Sequence, residues 1–211
     1  MEPTRDAAPV TRSTARRTGR PPLTERRKAA TRLDIARQAV RLFADRGVAG
    51  TSAEEIAAAA GLSTRTLWRY FPSKEECVRP LLTTGLEEFA ERLRAWPPGA
   101  SLVEALGLDD DAPDPADSAE VAQLVRLTRG EPGLRAVWLQ IHSEAADAFA
   151  AILAERQGGG PPDLAVRVRA GTLNVALRTG VEEWADRGGA PGAPPLRDVL
   201  RAALATAALP D

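Results

Sequence analysis

Thr51-Ser52-Ala53-Glu54-Glu55-Ile56, followed shortly by Gly61-Leu62-Ser63-Thr64-Arg65-Thr66-Leu67-Trp68-Arg69-Tyr70-Phe71-Pro72, decides how this chain is read. Ser52 with Glu55 three residues later is a capping box: the hydroxyl accepts an amide that the first helical turn leaves unpaired, and the carboxylate returns to the cap residue's own amide. A short helix through Ile56 and the alanines then meets Gly61, which tolerates the left-handed backbone that ends a helix. Leu62 is the apolar residue of the turn, and Ser63 caps a second helix running from Thr64 to Phe71. Leu67 and Phe71, four apart, form its inner face and leave Thr64, Arg65, Thr66, Trp68, Arg69 and Tyr70 at or near the exposed side. Pro72 stops it, and Ser73 with Glu76 reads as a second capping box opening a further helix. Two short helices joined by a tight glycine turn make a helix-turn-helix over residues 52–71.

On the amino-terminal side, Leu33, Ala36, Ala39, Val40 and Phe43 fall at three- and four-residue spacing, predicting an amphipathic helix capped by Thr24 and ending near Gly47. Residues 1–22 hold four prolines and five arginines with no hydrophobic period, the pattern of a disordered basic arm. Beyond the motif a fourth helix is expected to about Ala95, ending at Trp96-Pro97-Pro98-Gly99, where Trp96 reads as a packing plug. An acidic, proline-containing loop from Leu108 to Asp117 reads as a mobile connection. Helical patterns follow at about Ser118 to Arg129, Gly133 to Gln157, Pro162 to Arg187 and Leu196 to Ala208. No window alternates as a strand would. The expectation is an all-α chain: a three-helix domain over 23–79 with the helix-turn-helix, then a helical bundle over 80–211.

Charge is divided between these parts. Residues 1–80 hold 16 Lys and Arg against 9 Asp and Glu, whereas 81–211 hold 12 against 20, although the whole chain is at −1. A basic front on an acidic body suits a polyanion partner for the front. The single cysteine, Cys77, allows neither an intramolecular disulfide nor a thiolate zinc site, and with no secretory pattern or membrane-length apolar run the expected location is the cytoplasm. One histidine, no metal-spaced cluster, no phosphate loop and no paired carboxylates in an apolar setting argue against an enzyme, and no metal or cofactor is expected. Glu182 and Glu183 read as solvated charge.

The helix from Thr64 carries the groups that duplex DNA recognition needs. Phosphate contacts supply affinity and base edges in the major groove supply sequence. Arg65 and Arg69, four apart, can each fork onto guanine or grip a phosphate. Thr64 and Thr66 can donate to phosphate or set a methyl against thymine, and Trp68 and Tyr70 each join an apolar body to one donor. Ser63 caps this helix. Lys74 is expected to meet a phosphate with the amides of the next helix, and Thr51 or Ser52 likewise at the start of the first short helix.

These segments resemble a known family. Arg32-Leu33-Asp34-Ile35-Ala36, Leu42-Phe43-Ala44-Asp45-Arg46-Gly47, Thr51 to Ala57, Ala60-Gly61-Leu62-Ser63 and Leu67 to Glu76 are similar to the amino-terminal domain of TetR-family transcriptional regulators. The likeness covers about 50 consecutive residues. Members usually carry Tyr where Trp68 stands and often Gly where Arg65 stands. The resemblance implies an all-helical homodimer that represses transcription from double-stranded DNA and lets go when a small molecule occupies its carboxy-terminal domain.

The rest of the chain supports parts of that expectation. Leu164, Val168, Gly171, Thr172, Val175 and Thr179 line one side of a helix whose other side carries Leu173, Leu177, Val181 and Trp184. A helix apolar on two sides must be covered twice. With Leu196, Val199, Leu200 and Ala203 of the last helix it can form a four-helix interface with a symmetry mate, placing two recognition helices about 34 Å apart for a pseudo-palindromic operator. Pocket candidates are Trp138 and His142, four apart, with Arg126, Asn174 and Arg178 on neighbouring helices. A constitutive architectural DNA-binding protein is the main rival and predicts a solid carboxy-terminal domain; an activator shares the same DNA site.

Overall fold

A computed structural model describes residues 23–109, 119–188 and 192–207. The basic arm over 1–22 and most of the acidic loop fall outside the described residues. Among those described, every regular element is helical: α1 (Leu23–Arg46), α2 (Ala53–Ala59), α3 (Thr64–Tyr70), a 3-10 turn (Glu75–Val78), α4 (Arg79–Arg94), α5 (Leu102–Ala105), α6 (Ala119–Gly130), α7 (Pro132–Arg156), α8 (Leu164–Arg187) and α9 (Leu196–Thr206).

Local chemistry sets the boundaries in the amino-terminal part. The Ser52–Glu55 box is complete: Glu55 N donates to Ser52 Oγ at 3.2 Å and Ser52 N to Glu55 Oε2 at 2.8 Å. Those bonds hold the Glu55 carboxyl below its usual pKa, the backbone donor first among the causes. Gly61 takes φ +68°, allowing Leu62 N to donate to Ala57 O at 2.8 Å and Gly61 N to Ala58 O at 3.0 Å, so two carbonyls at the end of α2 are satisfied. Ser63 Oγ accepts from Thr66 N at 3.2 Å, and Phe71 is extended before Pro72, ending α3. Leu67 and Phe71 are buried with Ile35, Phe43 and Ile56 in a core continuous with that of the rest of the chain.

Three expectations change here. Thr24 lies inside α1 rather than at its cap. The Ser73 box is only half formed: Ser73 Oγ accepts from Glu76 N at 3.3 Å, but the Glu76 carboxylate turns forward to Arg79, with Nε donating at 2.6 Å. The chain therefore makes a 3-10 turn before α4 instead of a capped α-helix. Leu108, expected to begin a mobile loop, is fully buried, and its carbonyl accepts from Arg201 Nε and Nη2 at 3.0 and 2.7 Å.

In the body α7 and α8 pack side by side, with α6 against both, α4 on α7 and α9 on α8. Gly180 permits a close approach of α9 to α8, since a Cβ there would stand 2.9 Å from Leu200 Cδ2. Asp163 caps α8 by accepting from Val166 N at 2.8 Å. Ser101 and Glu104 form a second complete capping box for α5, a helix the hydrophobic pattern did not predict although its Ser-x-x-Glu signature is present. Trp96 plugs the end of α4: its indole donates to Ala100 O at 2.9 Å, and the Arg156 guanidinium lies 4.6 Å from the ring centre. Amino-terminal head and body are joined by α4 and by ion pairs from Arg79 to Glu144 at 3.0 Å and from Arg37 to Glu120 at 3.8 Å.

Candidate nucleic-acid interface and ligand cavity

With Leu67 turned into the core, α3 offers its other residues outward. Arg65 and Arg69 are exposed, Trp68 is 45% exposed, and Thr64, Thr66 and Tyr70 are half-buried. Among the described residues neither arginine forms an ion pair, so both charges remain available to a polyanion; Arg69 leans towards the Tyr70 ring at 5.5 Å. A large aromatic side chain beside two unpaired cations on a rigid, capped helix is suited to a groove lined with phosphates and base edges. Ser63 and Thr66 occupy one another's hydroxyls at 2.9 Å.

Two of the expected phosphate contacts face inward instead. Thr51 is buried, with Oγ1 donating to Gly47 O at 2.9 Å and to Leu42 O at 3.3 Å. Lys74 Nζ donates to Val48 O at 2.7 Å and to Thr51 O at 2.9 Å. Both side chains pin the α1–α2 loop, because its carbonyls have no helical partners and must be satisfied from elsewhere. Ser52 is half-buried and its hydroxyl is engaged in the capping box. Cys77 is a buried residue of the 3-10 turn, where burial pushes its thiol up to about 12, so it is an inert packing group.

Between head and body lies a cavity of about 240 Å³. Trp138 and His142 line it, as the helical spacing suggested, with Leu82 and Phe89 of α4, Val125 of α6 and Leu177 of α8. Leu33 and Arg37 of α1 also reach it, and the sequence reading missed them; the signal was the place of Leu33 at the edge of the α1 apolar stripe. Asn174 stands behind the wall, 2.8 Å from His142 Nδ1. Burial lowers the His142 pKa to about 4, against the hydrogen bond to Asn174, so the ring is neutral near pH 7.

Arg126 and Arg178 do not line this cavity. Arg126 Nη1 donates to Ala185 O at 2.6 Å, capping the end of α8, and Arg178 Nε is buried without a partner. Glu182 is not solvated charge: it accepts from Trp138 Nε1 at 2.7 Å and Arg135 Nη1 at 2.6 Å. Burial works to raise its pKa, but those two donors and the nearby guanidinium charges outweigh that and hold it below the usual range. Glu183 is exposed, as expected.

On the outer side of α8, Leu164, Val168 and Val175 are 76%, 59% and 49% exposed, in line with a helix apolar on two sides. Thr179 is exposed beside them, and Thr172, Val199 and Ala203 are half-buried. Leu196 and Leu200, read from the sequence as interface residues, are buried within the chain because α9 turns them onto α8.

A family model described as bacterial regulatory proteins of the tetR family matches residues 35–81, and one described as the MftR C-terminal domain matches residues 96–208. The chain is 30% identical over 167 residues to the HTH-type transcriptional regulator TcmR of Streptomyces glaucescens, covering 75% of this chain and 73% of that protein. The chain belongs to the TetR family. It is 27% identical over 162 residues to the mycofactocin biosynthesis transcriptional regulator MftR of Mycobacterium tuberculosis, covering 75% and 82% of the two chains. In fold it is similar to a TetR-family regulator from Mesorhizobium loti, with TM-score 0.54, 21% identity and coverage of 86% and 95%. As a TetR-family member the chain is a DNA-binding transcriptional regulator and not an enzyme. No helix among the described residues is long and apolar enough to cross a membrane.

Proposed function

We propose that this TetR-family regulator is a cytoplasmic homodimeric repressor that leaves a pseudo-palindromic operator when a small molecule fills the cavity between head and body. The observation that carries this reading is the composition of the cavity wall: Leu33 and Arg37 belong to α1 of the head, while Trp138, His142 and Leu177 belong to the body. One occupant therefore touches both parts. If it favours a wider separation of the two α3 helices, it weakens operator binding by its differential affinity for the two states. Helix α4 is the lever, since it starts at the 3-10 turn behind α3 and lines the cavity through Leu82 and Phe89. In this reading Arg65, Trp68, Arg69, Thr64 and Tyr70 contact DNA, and the exposed face of Leu164, Val168, Val175 and Thr179 meets its copy. An architectural protein with a solid body is disfavoured by the cavity.

Selection of bound genomic fragments followed by sequencing supplies the operator and its half-site spacing. Arg65→Ala and Trp68→Ala are expected to weaken binding to that operator in gel shifts, each by roughly ten- to a hundredfold. Unchanged shifts for both would remove the recognition helix from the interface. Val168→Glu is expected to shift the mass in solution from dimer to monomer, and a dimer that survives it places the interface elsewhere.

A further inference from the structure

One residue of the cavity wall, His142, carries a buried polar atom that the protein leaves unanswered. His142 is 1% exposed, and its Nδ1 lies 2.8 Å from Asn174 Oδ1. A carboxamide oxygen only accepts, so Nδ1 carries the proton and the lone pair of the neutral ring sits on Nε2. That atom is buried and has no hydrogen-bond partner in the structure. A buried acceptor left empty is costly, and such groups in folded proteins call for an explanation.

The surroundings narrow what can answer it. Leu82, Phe89, Val125 and Leu177 are apolar, and the only indole donor on the wall, Trp138 Nε1, is turned away to Glu182. The two charged side chains on the wall, Arg37 and Glu120, lie 3.8 Å apart and neutralise one another. A charged ligand would lose its hydration and find no unpaired countercharge. The volume, about 240 Å³, lies below the range usual for drug-sized ligands.

We propose that the cavity takes a small, uncharged, largely apolar molecule bearing one hydroxyl, and that His142 Nε2 accepts the hydrogen bond from that hydroxyl. Asn174 is a positioning residue, holding the tautomer that keeps Nε2 bare. The inference rests on the ligand-responsive reading for its biological sense, but not for its test.

The test is calorimetric titration of the full chain with 4-butylphenol, its methyl ether 4-butylanisole, and 4-butylbenzoate. The phenol is expected to bind at least about tenfold more tightly than the ether, the worth of one good hydrogen bond, and the benzoate more weakly than either. His142→Phe is expected to erase the difference between phenol and ether while the ether still binds, and His142→Gln, which keeps an acceptor, to restore part of it. Equal binding of phenol and ether by the unmodified chain, preference for the benzoate, or failure of all three to bind would overturn the proposal. These comparisons need no variant, so a His142→Phe chain that fails to fold leaves them intact. Gel shifts with the selected operator separate the two readings. Phenol binding with the expected discrimination but no release upholds the site and defeats ligand-controlled release; release by phenol and ether alike does the reverse.

Discussion

Head and body handle their inner polar groups differently. In the head, partners lie close along the chain: Thr51 bonds to Gly47 four residues away, Ser52 to Glu55 and Ser63 to Thr66 at three, and the longest reach is Lys74 to Val48 at twenty-six. The body also has local partners, such as Thr128 with Val125, but adds much longer reaches: His142 to Asn174 at 32 residues, Trp138 to Glu182 at 44, Arg126 to Ala185 at 59 and Arg201 to Leu108 at 93. Among the described residues, the buried side-chain atoms left without a partner, His142 Nε2 and Arg178 Nε, are both in the body. The head is a self-satisfied platform that presents α3 in one geometry. The body leaves hydrogen-bonding capacity unused, and one of its two unpartnered groups, His142, belongs to a residue of the cavity wall.

The largest effect should come from hollowing the platform. Leu67 is fully buried under α3, and Leu67→Ala is expected to lower unfolding stability by about 3 kcal/mol in urea titrations and to abolish operator binding with it. A loss under about 1 kcal/mol would mean that α3 does not depend on this core. Next is the acid sensitivity of the body. His142 has a pKa of about 4 when folded, against 6.5 ordinarily, so between those values the unfolded chain binds the proton first. Stability from this group is present above pH 6.5 and lost as pH falls towards 4, by up to roughly 3 kcal/mol. The groups around the ring divide: Asn174 and Glu182 favour the cation, Arg178 and Arg135 oppose it, and burial outweighs them all. Glu182 loses stability in the same direction on acidification, so the measurement is the difference between the parent chain and His142→Gln over pH 6.5 to 4. Identical acid profiles would show that His142 is not the buried neutral group.

The same contrast in reach explains what could be read beforehand. Ser52 with Glu55, Gly61, Ser63 and Pro72 each act within a few residues, so their spacing alone outlined α2 and α3, and the outward set on α3 followed from the inward pair Leu67 and Phe71. Where a side chain's partner is remote, spacing is silent. Lys74 and Thr51 are polar residues beside a DNA-binding helix, and only the folded loop shows that its carbonyls claim both. Trp138 and His142 were legible as a four-residue pair, but α1's share of the cavity was not, because Leu33 and Arg37 come to its wall only through tertiary packing. Leu196 and Leu200 looked like interface residues because an apolar stripe does not say whether its cover is the same chain or another.

Lys74 offers a sharper test of the head as a closed network. Lys74→Met keeps most of the aliphatic stem but removes donors from two carbonyls, and is expected to cost about 2 kcal/mol of stability. Its loss should leave the salt dependence of DNA binding nearly unchanged once measured on folded protein.

The smallest effect on stability, and the most informative about DNA, belongs to Arg69. It is exposed and forms no ion pair among the described residues, so Arg69→Ala should change stability by no more than about 0.5 kcal/mol. If its guanidinium meets a phosphate, the slope of log binding constant against log salt should become shallower by about one per protomer in contact, for specific and nonspecific DNA alike. The pair of slopes decides which cation serves the platform and which serves the partner. Should Lys74→Met flatten the slope and Arg69→Ala leave it alone, Lys74 would have to abandon Val48 and Thr51 on binding, and the α1–α2 loop would be a moving part of the interface, with the head no longer the closed network its hydrogen bonds describe.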